Sequence, residues 1–463
     1  MAIHFSDLYR RDGTLDREPF ALWGLALFLL KSQLDRLIAY RIFHRPWSFW
    51  GYLVPGESQS INGVPKSAQA FYLTLVAIAL PFVYIGIVMT VRRLRSAVLS
   101  VWLVVYFFVP VVNLVFFLLL CVLPALDPAT PEEAVREARR RPLLDYLIPD
   151  STLGSAVAGV VTTVALSVVG TLVATELLHG YGWGLFIGLP FCLGLTTTLI
   201  YGYHARRSLG ECVAVSLLAL AISGTGLLFL AMEGLGCLVM AAPLAVPLVI
   251  LGAVVGCSLQ PMRSRQTDLA IVTILLFTPG YMTAEHLKEA QPPTLQVVSS
   301  VEIDAPPEKV WKQVIGFTPL PPPQEFLFRA GIAYPMHATI TGHGPGAVRR
   351  CLFSTGPFVE PIKIWDEPRL LKFDVTENPA PMQEWTIYSA IHPTHLHGFL
   401  VSSGGQFLLT PLPGNRTRLE GTTWYRHSMW PVEYWRIWSD YIIHRIHMRV
   451  LDHVKVQSEA QDD

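Results

Sequence analysis

The sequence predicts a multi-pass α-helical membrane domain followed by an α+β domain with an antiparallel sheet and a long C-terminal helix. Of the 463 residues, 52% are hydrophobic and only 15% are charged, whereas a soluble domain carries about 25% charged residues. Apolar segments of spanning length recur as far as residue 282. From residue 291 onward, apolar and polar residues alternate as they do in half-buried strands.

Composition and apolar segments divide the chain into four regions. These are an N-terminal membrane region, 1–126; a charged cytoplasmic linker, 127–150; a second membrane region, 151–290; and the α+β domain, 291–463. The short apolar segment Pro19–Leu30 continues as a helix to about Tyr40, with the charges of Lys31, Asp35 and Arg36 paired or at the interface. The other apolar segments are Ala68–Thr90, Ser100–Leu126, Ser155–Leu178, Trp183–Tyr203, Cys212–Met232, Leu235–Ser258 and Leu269–Met282.

Clusters of arginine indicate which ends of these segments face the cytoplasm. They lie at 92–95, 136–141, 204–207 and 263–265, and the positive-inside rule favours one side for all four. They share a side if Ser100–Leu126, which carries Pro110 in its middle, is a re-entrant hairpin. The C-terminal domain then lies outside the cytoplasm; if Ser100–Leu126 crosses once, the domain faces inward.

The first 125 residues resemble the YhaH-type family of small bacterial inner-membrane proteins. The resemblance rests on Gly13–Phe20 before Trp23 and on Arg92-Arg93-Leu94, which is followed by Arg95-Ser96 where the family has His-Asp. It implies a bacterial inner-membrane location and no activity.

Charge and cysteine spacing exclude several classes of function. Formal net charge is zero, and no basic face exists to hold a phosphate backbone, so nucleic acid is not an expected partner. The six cysteines are spread singly without a CxxC pair, which indicates neither a zinc site nor a disulfide framework. The sequence contains no Ser-His-Asp pattern, P-loop or dinucleotide-binding fingerprint.

The α+β domain begins with an alternating strand that ends at a proline pair. Residues 301–305 alternate, Pro306-Pro307 stops the strand, and Glu308 lies in the first turn of the helix that follows. Further strands are predicted at Ala338–Gly342, Val348–Ser354, Phe358–Ile364, Leu370–Val375, Phe399–Pro411 and Arg416–Trp424, with a short helix at Glu325–Ala333 and a terminal helix at Pro431–Val456.

This order resembles the START/polyketide-cyclase superfamily, the SRPBCC or helix-grip fold. The resemblance rests on Val301–Val314 and covers about 165 residues, from Thr294 to the end. It implies a curved antiparallel sheet around the terminal helix, with a cavity between them for a sterol, lipid, polyketide or other apolar ligand. The superfamily has no universal catalytic residue to transfer, and no cofactor is expected.

Composition selects the candidate ligand-binding residues, because a small-molecule pocket needs apolar walls with a few polar groups. The terminal helix offers a stripe of aromatic and aliphatic side chains, and Glu360 lies in an apolar run, where its carboxylate either acts as an acid or base or pairs with an arginine such as Arg349. The candidate set is Glu360, His397, Trp424, His427, Trp435, Trp438 and Ile442.

Nine of the 14 histidines fall in this domain. His395 with His397, and His444 with His447, have spacings that metal ligands use, but no cysteine or carboxylate pair completes a set, so no metal site is expected. The histidines are then polar groups at a pocket mouth or surface groups able to titrate near neutral pH.

Three functions remain open. The first is a non-enzymatic module, anchored in the membrane, that binds a lipid-like or other hydrophobic small molecule. The second is a cyclase/dehydratase-type enzyme that acts on a polyketide-like substrate with His427, His397 or Glu360 as acid–base groups. The third is passive transfer of lipid through the membrane half, which lacks the charged helix interiors of an ion-coupled carrier.

Overall fold

A computed structural model describes residues 12–45, 47, 66–97, 101–108, 113, 116, 117, 120, 121, 144, 147–260, 278–287, 292–388, 391 and 393–460. The chain forms two compact units. The first comprises residues 1–177, 184–233 and 241–283, and the second comprises residues 178–183, 234–240 and 284–463. The middle of Ser100–Leu126, the linker around residues 127–143 and the start of Leu269–Met282 lie outside the described residues.

The helical elements of the first half follow the predicted apolar segments. They are α1, Arg17–Arg41; α2, Lys66–Ser96; a 3₁₀ stretch, Val101–Phe108; α3, Thr152–Leu172; α4, Leu189–Tyr201; α5, Leu209–Phe229; and α6, Leu235–Leu259. Short π-helical turns extend α3 to Leu177 and precede α4 at Gly184–Gly188. Among the residues that the structure describes, five helices are long and apolar enough to cross a bilayer: Ala70–Ser96, Thr152–Leu177, Gly184–Tyr201, Leu209–Phe229 and Leu235–Leu259. They are consistent with a multi-pass membrane protein.

Polar side chains and glycines explain details of this unit. Lys31 contacts the buried carboxylate of Asp35 one turn away on α1, so two of the three charges expected to be paired or at the interface form a pair. The predicted segment Cys212–Met232 begins earlier, at Leu209, because Ser208 and Glu211 form a reciprocal capping box at the start of α5. A Cβ on Gly252 would lie 2.1 Å from the carbonyl oxygen of Phe191, so glycine is what permits the close approach of α6 to α4.

The second unit contains a seven-stranded antiparallel sheet with strand order β1-β7-β6-β5-β4-β3-β2. The strands are β1, Leu295–Ile303; β2, Pro335–Thr341; β3, Val348–Phe353; β4, Gly356–Asp366; β5, Leu370–Asp374; β6, Leu400–Leu412; and β7, Arg416–His427. Two short helices, α7 (Pro307–Ile315) and α8 (Phe326–Arg329), lie between β1 and β2, and α9 (Val432–Glu459) ends the chain.

Alternation along β1 and the proline pair position the start of this unit as predicted. Residues of β1 alternate between buried and exposed over most of the strand, and α7 begins at Pro307. Trp311 and Val310 of α7 are fully buried. Helix α8 is shorter than the predicted Glu325–Ala333 because the chain turns at Gly331, which has a positive φ of 101°.

Helix α9 contacts β1, β7 and β2, which include both edge strands of the sheet. The sheet therefore curves around α9, and the predicted helix-grip fold is confirmed. The apolar core lies between them and includes Ile303, Trp311, Leu371, Leu409, Leu419 and Leu451. Burial of these side chains contributes about 1.5–3 kcal/mol each.

Candidate functional site

A cavity remains in the second unit between the inner face of the sheet and α9. Its volume is about 140 Å³, less than the about 300–1,000 Å³ of most ligand pockets and close to the size of an apolar cavity that holds one aromatic ring. Its walls are mostly apolar and come from every strand from β3 to β7 and from α9. They include Phe353, Phe358, Phe373, Phe407, Ile442 and Ile446.

Glycine on β6 allows strands and side chains to approach closely beside the cavity. The pairing of β6 with β7 shifts register between Ser402 and Gly404, and such a bulge bends a strand. A Cβ on Gly405 would lie 2.8 Å from the ring of Phe373. The position of the Phe373 ring in the cavity wall therefore depends on the absence of a side chain at position 405.

One polar site in the cavity wall is a buried ion pair between β3 and β4. Arg349 and Glu360 are cross-strand partners, and the guanidinium Nη1 donates to the Glu360 carboxylate. The Arg349 Cζ lies 5.5, 5.6 and 5.4 Å from the ring centroids of Phe317, Phe373 and Phe407. These contacts stabilise a guanidinium that has left water.

Burial controls the chemistry of the side chains around this pair. It raises the pKa of the Glu360 carboxyl, and the Arg349 guanidinium opposes that shift. Burial also raises the pKa of the Cys351 thiol to about 12, so Cys351 remains a thiol and is not a nucleophile at neutral pH. The Nε of Arg349 has no hydrogen-bond partner among the described residues. This N–H group is therefore able to donate one further hydrogen bond.

The second polar group of the cavity is His447, on α9. Its Nε2 lies 2.7 Å from the Thr423 hydroxyl of β7, and its Nδ1 lies 3.1 Å from the Ser299 hydroxyl of β1. Both His447 and Thr423 line the cavity. Burial lowers the pKa of His447 to about 4, and the neighbouring His444 also lowers it, so the imidazole is neutral at neutral pH.

Two of the seven sequence-predicted residues line the cavity, Glu360 and Ile442. Trp435 is buried near the start of α9, with its ring centroid 5.3 Å from that of Tyr434. Trp438 is half-buried on the same helix. Neither ring forms part of the cavity wall, because the wall begins farther along α9, at Ile442.

The other three predicted residues lie elsewhere in the unit. Trp424 lies on β7 with the Lys372 Nζ 4.8 Å from its ring centroid, and it is absent from the cavity wall that Thr423 helps to form. His427 is buried at the end of β7, where burial lowers its pKa. His397 is exposed after the 3₁₀ turn Thr394–Leu396.

The two histidine pairs with metal-ligand spacing are arranged differently from each other. His395 lies in the 3₁₀ turn, is buried, and places its Nε2 3.3 Å from the Glu384 carboxylate, while His397 is exposed. His444 and His447 do share a face of α9, since both contact the Ser299 hydroxyl.

Sequence reasoning missed Ser299, Thr422 and Thr423. A signal for Ser299 exists, because it falls in phase with the buried Val297 and Ile303 on the inner face of β1. A hydroxyl at such a position requires an internal partner, and the partners are the two histidines of α9. Thr423 falls in phase with the buried Leu419 and Tyr425 of β7, whereas Thr422 is out of that phase and still lines the cavity.

No protein-family model and no curated protein matches the sequence, so the YhaH-type resemblance finds no support. Solved structures similar to this chain include the ZhuI aromatase/cyclase of Streptomyces sp. R1128, with 14% identity, 36% of this chain and 94% of that chain covered, and a TM-score of 0.24. Norcoclaurine synthase of Thalictrum flavum has 13% identity, 38% and 99% covered, and a TM-score of 0.25.

A third similar structure is the di-domain aromatase/cyclase BexL of the BE-7585A biosynthetic pathway, with 15% identity and a TM-score of 0.24. The match covers 43% of this chain and 60% of BexL. Similarities at these identities and TM-scores do not indicate a function for this chain.

Proposed function

We propose that the C-terminal domain binds a lipid-like or other hydrophobic small molecule in the cavity between sheet and α9. The observation that carries this proposal is a largely apolar cavity with a buried, paired Arg349 in its wall. Apolar walls with a few placed polar groups are what ligand pockets share.

The polar groups restrict the ligand further. Because Glu360 already neutralises Arg349, the cavity does not need an anion; it favours a ligand oxygen that accepts a hydrogen bond from the Nε of Arg349. The ligand-binding set that we propose keeps Glu360 and Ile442 and adds Arg349, Ile446 and His447.

Native mass spectrometry of the full chain in lipid nanodiscs, followed by extraction, tests this proposal. We expect a bound apolar molecule at about one per chain in the wild type and its loss in Ile446→Trp, which fills the cavity. Ile437→Trp is the matched control, because Ile437 is 68% exposed on the same helix. Equal retention in both variants, or no bound molecule in the wild type, would refute the proposal.

A cyclase/dehydratase-type enzyme is the second candidate, and one observation favours it: His447 reaches the cavity within a hydrogen-bonded set. Once the resident molecule is identified, its conversion is followed in the wild type and in Glu360→Gln and His447→Gln. Variants that retain the molecule but lose its conversion would favour an enzyme, while equal recovery of unchanged molecule would favour a binding module.

We also propose that the protein resides in a bacterial inner membrane with its C-terminal domain outside the cytoplasm. The support is the positive-inside rule applied to Arg92–Arg95 at the C-terminal end of α2 and to Arg206 and Arg207 between α4 and α5. Alkaline phosphatase fused after residue 460 is active only outside the cytoplasm. If the fusion after residue 460 is inactive and a fusion after Arg207 is active, the orientation of the chain is the opposite of the one proposed.

A further inference from the structure

Four polar side chains form a continuous line from the surface of the second unit to the cavity. His444 is exposed on α9, and its Nδ1 lies 2.7 Å from the hydroxyl of Ser299, which is only 4% exposed. The same hydroxyl lies 3.1 Å from the Nδ1 of His447. The Nε2 of His447 lies 2.7 Å from the hydroxyl of Thr423, which lines the cavity.

Every member of this line both donates and accepts a hydrogen bond, so two complete arrangements exist. In the outward arrangement, Thr423 donates to His447 Nε2, His447 Nδ1–H donates to Ser299, and Ser299 donates to His444 Nδ1. In the inward arrangement each bond is reversed, and the Thr423 hydroxyl proton is free to point into the cavity. Neither arrangement leaves a group of the line unsatisfied.

We propose that His444, Ser299, His447 and Thr423 form a proton relay between solvent and the cavity. That the relay delivers its proton to a bound ligand rests on the proposed function. The ligand is then a hydrophobic molecule with a weakly acidic hydroxyl or an enolisable carbonyl, whose oxygen meets Thr423. Arg349, which also lines the cavity, donates a hydrogen bond from its Nε to a second oxygen of the same molecule.

The inward transfer of one proton balances at every step. The imidazolium of His444 gives its Nδ1 proton to Ser299 Oγ, and Ser299 gives its own hydroxyl proton to His447 Nδ1. His447 gives its Nε2 proton to Thr423 Oγ1, and Thr423 gives its hydroxyl proton to the ligand oxygen. His444 ends neutral, the ligand oxygen ends protonated, and His447 changes only its tautomer.

The surroundings of His447 suit a group that passes a proton and does not keep one. Burial and the charge of His444 lower its pKa to about 4, which disfavours a stored imidazolium. Two sets of ionisable groups in this unit are paired among themselves. Tyr425 of β7 donates to Asp440 of α9, which also pairs with Arg436. Arg349 of β3 pairs with Glu360 of the neighbouring strand β4 in the cavity wall.

Nuclear magnetic resonance of the full chain in nanodiscs, ¹⁵N-labelled at the histidine imidazoles, tests the relay without any ligand. Resonances are assigned with His444→Gln and His447→Gln. As the pH falls and His444 takes up its proton, we expect His447 to remain neutral and to change from the Nδ1–H to the Nε2–H tautomer. The midpoint of this tautomer change should coincide with the midpoint of the His444 titration.

Ser299→Ala removes the link between the histidines, and we expect the His447 tautomer then to stay constant while His444 still titrates. Ser439→Ala is the matched control, because it removes a buried hydroxyl of α9 that bonds to Tyr425 instead. A His447 tautomer that never changes in the wild type, or a change that survives in Ser299→Ala, would overturn the relay. Because no ligand takes part, this result is independent of the mass-spectrometric test of binding.

Discussion

The two polar sites of the cavity differ in how they avoid the cost of burying polar atoms. On the strand wall, Arg349 and Glu360 satisfy each other as a charged pair, enclosed by three aromatic rings. On the helix wall, His447 is neutral and belongs to a hydrogen-bonded line that reaches exposed His444. The strand wall has a fixed charge distribution, whereas the helix wall can exchange protons with solvent.

The largest effect should come from breaking the ion pair. Glu360→Ala leaves the Arg349 charge buried without its partner, and we expect a loss of about 3–5 kcal/mol in local unfolding free energy. Hydrogen exchange of peptides from 348–366 measures this loss.

An exposed ion pair is the control for this experiment on the buried pair. Glu302→Ala removes the partner of exposed Arg416 and Arg418, and we expect about 0.2–1 kcal/mol. The double variant Arg349→Met with Glu360→Leu should recover most of the loss. Equal losses in Glu360→Ala and Glu302→Ala would contradict a buried charged pair.

Acid should destabilise the helix wall. Because the pKa of His447 is about 4 in the folded chain and about 6.5 unfolded, the unfolded state binds more protons between these values. Stability is therefore full above about pH 6.5 and falls as the pH falls to about 4, by at most about 3 kcal/mol.

His447→Gln isolates that contribution, since His427 and His453 also have lowered pKa values. We expect the difference in unfolding free energy between wild type and His447→Gln to shrink as the pH falls from 7 to 4. A difference that is constant over this interval would show that His447 is not buried in its neutral form.

A side chain at position 405 should displace the Phe373 ring from the cavity wall. Gly405→Ala places a Cβ 2.8 Å from the Phe373 ring, and we expect a loss of about 1–3 kcal/mol in hydrogen-exchange free energy on β5 and β6. In Gly421→Ala the nearest atoms are 3.7 Å away, so this control should change little. Equal effects of the two substitutions would contradict a steric clash with Phe373.

The smallest effect should come from the cavity end of the histidine line. Thr423→Val keeps the shape but removes the partner of His447 Nε2, and we expect a loss of about 1 kcal/mol on β7. Exposed Thr376→Val is the control and should stay within about 0.5 kcal/mol. If Thr423→Val does not change the hydrogen-exchange free energy on β7, this hydrogen bond does not form.

The order of elements in the second unit could be predicted from the sequence, because it depends on local signals. The proline pair at 306–307 and the alternation along β1 define the beginning of the unit. The turn at 413–415 separates β6 from β7, and the long stretch without Gly or Pro becomes α9.

The cavity wall could not be predicted in the same way, because it depends on the position along α9 at which the curved sheet no longer packs directly against the helix. The aromatic side chains of the terminal helix suggested a wall that includes Trp435 and Trp438, but the wall begins one turn later, at Ile442. On β7, Trp424 and Thr423 are neighbours that point to opposite faces of the sheet, and composition alone favours the larger residue. From the sequence, Arg349 is one of several possible partners of Glu360. The pairing is decided by the strand register, which places Arg349 of β3 opposite Glu360 of β4.

The most direct test of the cavity is a methyl resonance titration of the isoleucine-labelled full chain with 1-naphthol, an apolar ring system with one hydroxyl. Ile442 and Ile446 line the cavity, and Ile437 is exposed on the same helix. We predict saturable shifts at Ile442 and Ile446 with Ile437 unchanged. No shift at the two cavity residues, or equal shifts at all three, would contradict a ligand-binding cavity in this domain.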